Sequence, residues 1–428
     1  MVSVYQCFDP LKTCIVGKSY PPEFYSEIKN VKARSAMERV AIETEEDYQK
    51  LISKLEEFDV EVLRLDISNN IDDYKDSNGV MNAAPPMCPR DFSAMVGDTF
   101  YMPSPNYGEN LNVEEIYKGM LHKNLSTNRE REEVMAQYFE DLLQPGRPLS
   151  QEAALKSFKE RRGNTLCPWD FLLGIDREEL EKVIIASETN TIGSNKKFPN
   201  NRKFYAWNSV KKWLEKNNVP IVYDQYISGS SCWRLGKDLF FNYNNIITKL
   251  NEESFLRKWR KLFPKHRVHG VDVPGHSDGT MHPVKEGLII SLKNDKYYKN
   301  FYTGWEVVKV GKGSDMSQVK PFLDMKSKIK GRWWISGEED NQDLIEYIHT
   351  WLDHWVTFSK ETVFDINILP IDQKNCIVNN YNKIIFDAFE RHGITPHIVN
   401  LRHRWFWDGG LHCVTSDIHR EGNMKTFW

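Results

Sequence analysis

AMVGDTFYM, residues 94–102, is two short apolar runs joined at Gly97-Asp98. Strand-forming runs on either side of turn residues describe a β-hairpin. The same figure returns as WRLGKDLFFN at 233–242, VKEGLIISL at 284–292 and INILPIDQKNCIV at 366–378. Helical patterns lie between these hairpins. Residues 44–58 (TEEDYQKLISKLEEF) have Thr44 as a candidate N-cap, an acidic first turn, and apolar residues at helical spacing through Tyr48, Leu51, Ile52, Leu55 and Phe58. Further helices are expected at 112–121, 130–143, 204–217, 342–355 and 381–391, the last stopped by Gly393 and Pro396. A unit of strands plus one helix cannot bury its own apolar face, so repeated units must pack on one another, most economically around an axis. A polar insert near 124–176 interrupts the pattern without an extended linker, so 1–428 is read as a single domain.

Composition narrows the function. The 428 residues are 40% hydrophobic and 27% charged, which excludes bulk disorder. A net charge of -3 with no Lys/Arg block argues against nucleic acid as partner, leaving small molecules. No stretch reaches the ~20 apolar residues of a membrane span, and residues 1–9 lack a basic-then-apolar leader, so a cytoplasmic protein with no membrane partner is expected. The seven cysteines are odd in number, scattered and never in a C-x-x-C pair. Neither a disulfide framework nor a zinc ribbon is indicated.

Three segments carry candidate chemistry. Asp408 to Asp417 (DGGLHCVTSD) puts Cys413 behind a Gly-Gly pair at the head of a strand-like run, although a cysteine there is more often a buried structural residue. Gly275 to His282 (GHSDGTMH) places His276 and Asp278 two residues apart, on one side of an extended strand, where a base and a cation-holding carboxylate would stand together; the plainer reading is a turn with a solvated charge pair. Pro89-Arg90-Asp91 precedes the first hairpin as His276 precedes the third, and by itself reads as a surface ion pair or turn cap. Two further ideas fit no pattern: His403, His412, Cys413 and His419 lack zinc-ligand spacing, and Gly311-Lys312-Gly313-Ser314 is too short for a phosphate loop.

Taken in order, these segments resemble those of the guanidino-group modifying enzymes, most closely the arginine:glycine amidinotransferase family. Phe8 to Leu11 with Ile15 to Gly17 is similar to that family's opening strand, Pro89-Arg90-Asp91 to its first acidic motif, Gly275 to Met281 to its His-x-Asp-x-Thr segment, and Gly409 to Thr415 to its Gly-Gly-x-His-Cys-x-Thr loop. Residues 367–399 resemble the approach to that loop. The resemblance implies the α/β class, as a five-bladed α/β propeller (pentein) of pseudo-repeated ββαβ units. It implies Cys413 as nucleophile, His276 as general acid/base, and Asp91 and Asp278, with neighbouring Arg90, as the substrate-binding set. It also implies transfer of the amidino group of L-arginine to a small amine such as glycine without cofactor or metal, in a chain for which a homodimer is allowed. The alternatives are an arginine hydrolase or deiminase, or a non-catalytic guanidino-binding protein on the same fold.

Two departures stand out. The family's His-orienting aspartate falls in the segment 226–233 (YISGSSCW), which contains no acid; Asp224 is the nearest preceding carboxylate, and Ser228, Ser230 or Ser231 could offer a weaker hydrogen bond. Where the family has an arginine for the donor's carboxylate, this chain has Asp295 between Lys293 and Lys296.

Overall fold

A computed structural model describes residues 2–70, 85–102, 206–223, 227–242, 252–271, 273, 276–293, 298, 302–310, 333–348, 352, 356 and 363–428. The expected helices at 112–121 and 130–143, and the insert near 124–176, lie outside these residues.

The chain opens with β1 (Leu11–Val16), α1 (Val31–Glu56) and β2 (Glu61–Arg64), which runs parallel to β1. The first expected hairpin is β3 (Ala94–Val96) and β4 (Thr99–Met102). Through α2 (Asn208–Lys216) the chain reaches β5 (Ile221–Tyr223), parallel to β4. β6 (Cys232–Leu235), β7 (Asp238–Asn242), α3 (Glu252–Leu262) and β8 (Arg267–Val271) repeat the unit. So do β9 (Met281–Lys285), β10 (Leu288–Ser291) and β11 (Glu306–Lys309). After α4 (Gln342–Tyr347) come β12 (Leu369–Pro370), β13 (Asn375–Val378), α5 (Lys383–His392) and β14 (Thr395–Ile398). β15 (Thr415–Arg420) returns to pair antiparallel with β1. Among the described residues there are thus five three-stranded sheets, each an antiparallel pair plus one parallel strand. The fifth antiparallel pair is assembled from the two ends of the chain, and this closes a five-bladed α/β propeller.

Burial fixes which edge of each blade faces inward. β3, β6 and β12 are buried throughout, and β9 and β15 nearly so, whereas β2, β5, β11 and β14 are largely half-buried or exposed. Gly97 and Gly236 occupy the same place in successive hairpins at φ of 60° and 64°, left-handed conformations in which a side chain is strained. Val4 bridges to Gly97 and Gln6 to Leu235, so the amino-terminal segment runs across the second and third blades before entering its own.

The helix expected from Thr44 begins thirteen residues earlier, at Val31, with Asn30 as the cap: its Oδ1 accepts from Lys32 N and Ala33 N. Thr44 stands mid-helix, and its hydroxyl donates back to Val40 O at 2.6 Å. The earlier turns are helical because Ala33, Ala36, Met37, Val40 and Ala41 line one face and pack beside Trp333, Leu344 and Ile348. Among the described residues no helix is long and apolar enough to cross a membrane.

The innermost layer is ionic. Asp417, fully buried in β15, accepts from Arg90 Nη1 (2.8 Å), from Arg234 Nη2 with both oxygens (2.8 and 3.0 Å) and from Arg420 Nε (2.6 Å). Burial alone would raise this carboxyl's pKa, but the guanidiniums of Arg234, Arg90 and Arg420 together hold it well below the usual range. Its contribution to stability is therefore complete above the ordinary carboxylate pKa and is lost only as pH falls below that toward the depressed value. Asp417→Asn leaves three buried cations without their counter-charge. A loss of about 3–5 kcal/mol or more is expected, read as a fall in the urea midpoint; an unchanged midpoint would contradict this role.

Candidate active site

Cys413 is held by contacts from three directions. After β14 a single helical turn, Arg404–Trp407, ends at Asp408, whose φ is 53°. Gly409 and Gly410 follow because nothing larger fits. A Cβ on Gly409 would lie 2.7 Å from Cys88 Sγ, and one on Gly410 would lie 2.6 Å from Asn367 Oδ1. Beyond them the chain turns through Leu411 to Val414, with Thr415 Oγ1 donating to Leu411 O, and enters β15. From outside, α1 braces the approach: Asp47 accepts from Arg402 N and Nε, and Trp407 Nε1 donates to Thr44 Oγ1 at 2.8 Å.

Arg90 supports the loop from below. Its Nε donates to His412 O (2.7 Å) and Thr415 O (2.8 Å), while Nη1 holds Asp417. Expected among the substrate-binding residues, Arg90 is instead fully buried, with its guanidinium engaged by the loop backbone and the central carboxylate. The sequence order Arg90-Asp91 splits between two tasks because Pro89–Asp91 is a 3-10 turn, which sends successive side chains in different directions.

The same geometry corrects the expected alignment of His276 and Asp278. Ser277–Gly279 is a 3-10 turn rather than extended strand, pinned by Ser277 N donating to Ser230 O at 2.8 Å. The two side chains consequently have different partners. Asp278 is fully buried; its Oδ2 lies 2.7 Å from His412 Nδ1 and accepts from Cys413 Sγ at 3.6 Å. His276 stays partly open to solvent, with Nδ1 3.4 Å from Asp91 Oδ1. Four of the five expected residues therefore form two contacting pairs, Cys413 with Asp278 and His276 with Asp91. In the segment expected to orient the histidine, the hydroxyls of Ser228 and Ser230 lie 3.1 Å from each other, and Asp224 lies outside the described residues. Asp295 and Lys296 are outside them too. Lys293 is half-buried beside β10, its backbone N–H on Ser291 Oγ.

Two residues of the site were not singled out from sequence. Asn367 Oδ1 accepts from His412 N (2.9 Å) and Cys413 N (3.2 Å), and its Nδ2 donates to Cys413 Sγ at 2.9 Å. His412 is buried, stacked 5.1 Å from Trp233 and edge-on to His282 at 4.6 Å. Among the described residues no group of three or more His, Cys, Asp and Glu side chains could hold a metal ion.

No family model matches the sequence. Over 219 residues the chain is 26% identical to glycine amidinotransferase, mitochondrial, of Xenopus laevis, an alignment covering 49% of this chain and 42% of that protein. Over 229 residues it is 24% identical to the L-arginine:L-lysine amidinotransferase of Pseudomonas savastanoi pv. phaseolicola, covering 51% and 52%. The chain thus spans about half the length of the curated relatives it matches, or less. Among solved structures, the inosamine-phosphate amidinotransferase of Streptomyces griseus superposes with a TM-score of 0.51 at 16% identity, over 100% of this chain and 99% of that one. The fold is that of the amidinotransferases. A second superposition agrees: SxtG, an amidinotransferase of the saxitoxin biosynthetic pathway from Microseira wollei, gives a TM-score of 0.50 at 14% identity, over 100% and 99%.

On this amidinotransferase fold the site's protons are set by burial and charge. Burial, then the nearby Asp91 carboxylate, push Asp278 well above the usual carboxylate range, against the pull of Arg90. Burial and the guanidinium of Arg90 hold His412 well below the ordinary histidine value, and His282 likewise. Both shifts favour the uncharged forms, a protonated Asp278 beside a neutral imidazole. Its Oδ1 has no hydrogen-bond partner among the described residues. A cation with N–H donors would satisfy that oxygen and expel the proton. Because the cation prefers the ionised carboxyl, affinity for free guanidinium ion should tighten as pH rises toward the elevated Asp278 pKa, by up to about tenfold per pH unit, and then level. Asp278→Asn should bind weakly with a flat profile. Calorimetric titration across pH measures both, and a pH-independent wild-type affinity would refute the proton exchange.

Proposed function

We propose that this chain is an amidinotransferase, moving the amidino group of L-arginine to a small amine such as glycine through an amidino-cysteine at Cys413. The observation that carries this reading is the Cys413 sulfur held against the buried Asp278, with the His276–Asp91 pair alongside. A guanidinium is planar and permanently charged, so two carboxylates accepting its N–H groups would both fix its plane and balance its charge. Asp278 and Asp91 are suited to this because their charges raise each other's cost until a cation arrives.

The chemistry follows from the residues present. The Cys413 thiolate adds to the guanidino carbon, forming a C–S bond. The C–N bond to the ornithine nitrogen breaks as protonated His276 gives that nitrogen its proton. The acceptor amine then attacks the amidino carbon, the C–S bond breaks, and His276 takes up the proton the amine loses. Asp91, 3.4 Å from His276 Nδ1, is the group placed to orient that ring where the expected aspartate is missing. The names of the relatives differ in acceptor, glycine in one and lysine in another, so both amines are acceptors to be tried.

The test is ornithine release from L-arginine with and without glycine or lysine. Release that requires the amine, falls to background in Cys413→Ser, and leaves an amidino adduct on Cys413 when the amine is withheld is the expected result. Equal release without amine would make the protein a hydrolase, citrulline a deiminase, and arginine binding without turnover a binding protein.

A further inference from the structure

We propose that Asn367 is the residue that stabilises the Cys413 thiolate and fixes the direction from which its sulfur attacks. The inference rests on the reading of Cys413 as nucleophile. The orientation of the amide is not free to choose: two backbone N–H groups, of His412 and Cys413, converge on Oδ1, and only an oxygen can accept them. Nδ2 must then face the sulfur, to which it donates at 2.9 Å.

The amide cannot swing away. Asn367 is fully buried, its flank is against Gly410, and its own carbonyl is held by Asn379 Nδ2 at 2.9 Å, which also takes Phe364 O at 2.8 Å. A staple for the loop would need only Oδ1. The N–H on sulfur adds something a staple does not require: bonded to a neutral thiol it is weak, bonded to a thiolate it is charge-assisted, so it favours the anion. On the sulfur's other side Asp278 Oδ2 stands at 3.6 Å, in reach of the S–H proton. The sulfur is thereby held between one donor and one acceptor.

The experiment is the thiolate absorbance near 240 nm followed against pH below about pH 9, taken as wild type minus Cys413→Ser. The difference isolates Cys413: burial pushes Cys7, Cys14 and Cys232 up to about 12 and Cys376 higher still, leaving them silent, and Cys88 and Cys167 are present in both proteins and cancel. Asn367→Ala should move the Cys413 titration up by about one pH unit, about tenfold less thiolate at a given pH below it. Asn379→Ala, which loosens the same backbone but keeps the amide, should lower the melting temperature without moving the titration. If Asn367→Ala does not fold, Asn367→Ser, whose hydroxyl still accepts a backbone N–H, is read in its place. A variant titrating as wild type does, or a wild type with no Cys413 signal in this range, overturns the proposal. No substrate is needed, so the result stands apart from the ornithine assay: a shifted titration with no turnover would sink the amidinotransferase reading and keep this one.

Discussion

One buried carboxylate organises this molecule. Asp417 gathers Arg90, Arg234 and Arg420 from three well-separated parts of the chain, and all four side chains are buried. An isolated buried ion pair is weak evidence of stability, since the desolvation of both partners offsets their attraction. Here the charges are unequal, three against one, and the surplus is not left in the apolar layers. It is expressed on the site. Arg90 carries part of it to the backbone carbonyls of the Cys413 loop, and burial together with the same positive field holds His412 and His282 well below the ordinary histidine range. A sulfur resting over such a field is better placed to hold negative charge than one in an apolar core.

The ring closure and the site are one event. β15 pairs with β1, and the Cys413 loop is the segment that leads into β15. Its supports come from elsewhere: Arg90 ahead of the β3–β4 hairpin, Asp278 ahead of β9, and Asn367 ahead of β12. These contacts join residues 46 to 325 positions apart in sequence, so each must meet a loop-closure entropy that the β-hairpins, closed over a few residues, do not.

That division explains what could be read in advance. The four hairpins were legible, the first two within a residue and the other two within three, because a local rule, two strand-forming runs about a turn, governs them. The fifth sheet had no local signature, being built from strands at opposite ends of the sequence. Thr44 misled because an acidic turn after a threonine looks like a helix start, while the true cap at Asn30 precedes a stretch whose apolar face shows only against Trp333 and Leu344. His276 and Asp278 do not share one side as a period of two would have them, since that period holds only for extended chain and the segment is a 3-10 turn. Arg90 was noticed for its neighbour's sake, and its partner Asp417 lies 327 residues away. Asn367 stood only at the start of a stretch resembling the approach to the loop, with no role of its own, because an asparagine ahead of a strand is ordinary until its amide is seen on the sulfur.

The histidine's partner ties these points together. A chain that lacks an acid in the 226–233 segment must orient His276 by other means, and Asp91 is the carboxylate it meets. Under the proposed function Asp91 also faces the substrate, so one carboxylate would serve two cations, the protonated imidazole and the guanidinium. The two demands are compatible only if the proton leaves His276 as the reaction proceeds, because the leaving amine takes it when the guanidino charge has moved onto the cysteine adduct. Asp91 then has two cations beside it at first and one after the transfer. Two carboxylates near one sulfur would otherwise oppose a thiolate. Burial and the Asp91 charge disfavour an ionised Asp278, and Asp91 lies beside His276, so the surroundings work against placing three anions together.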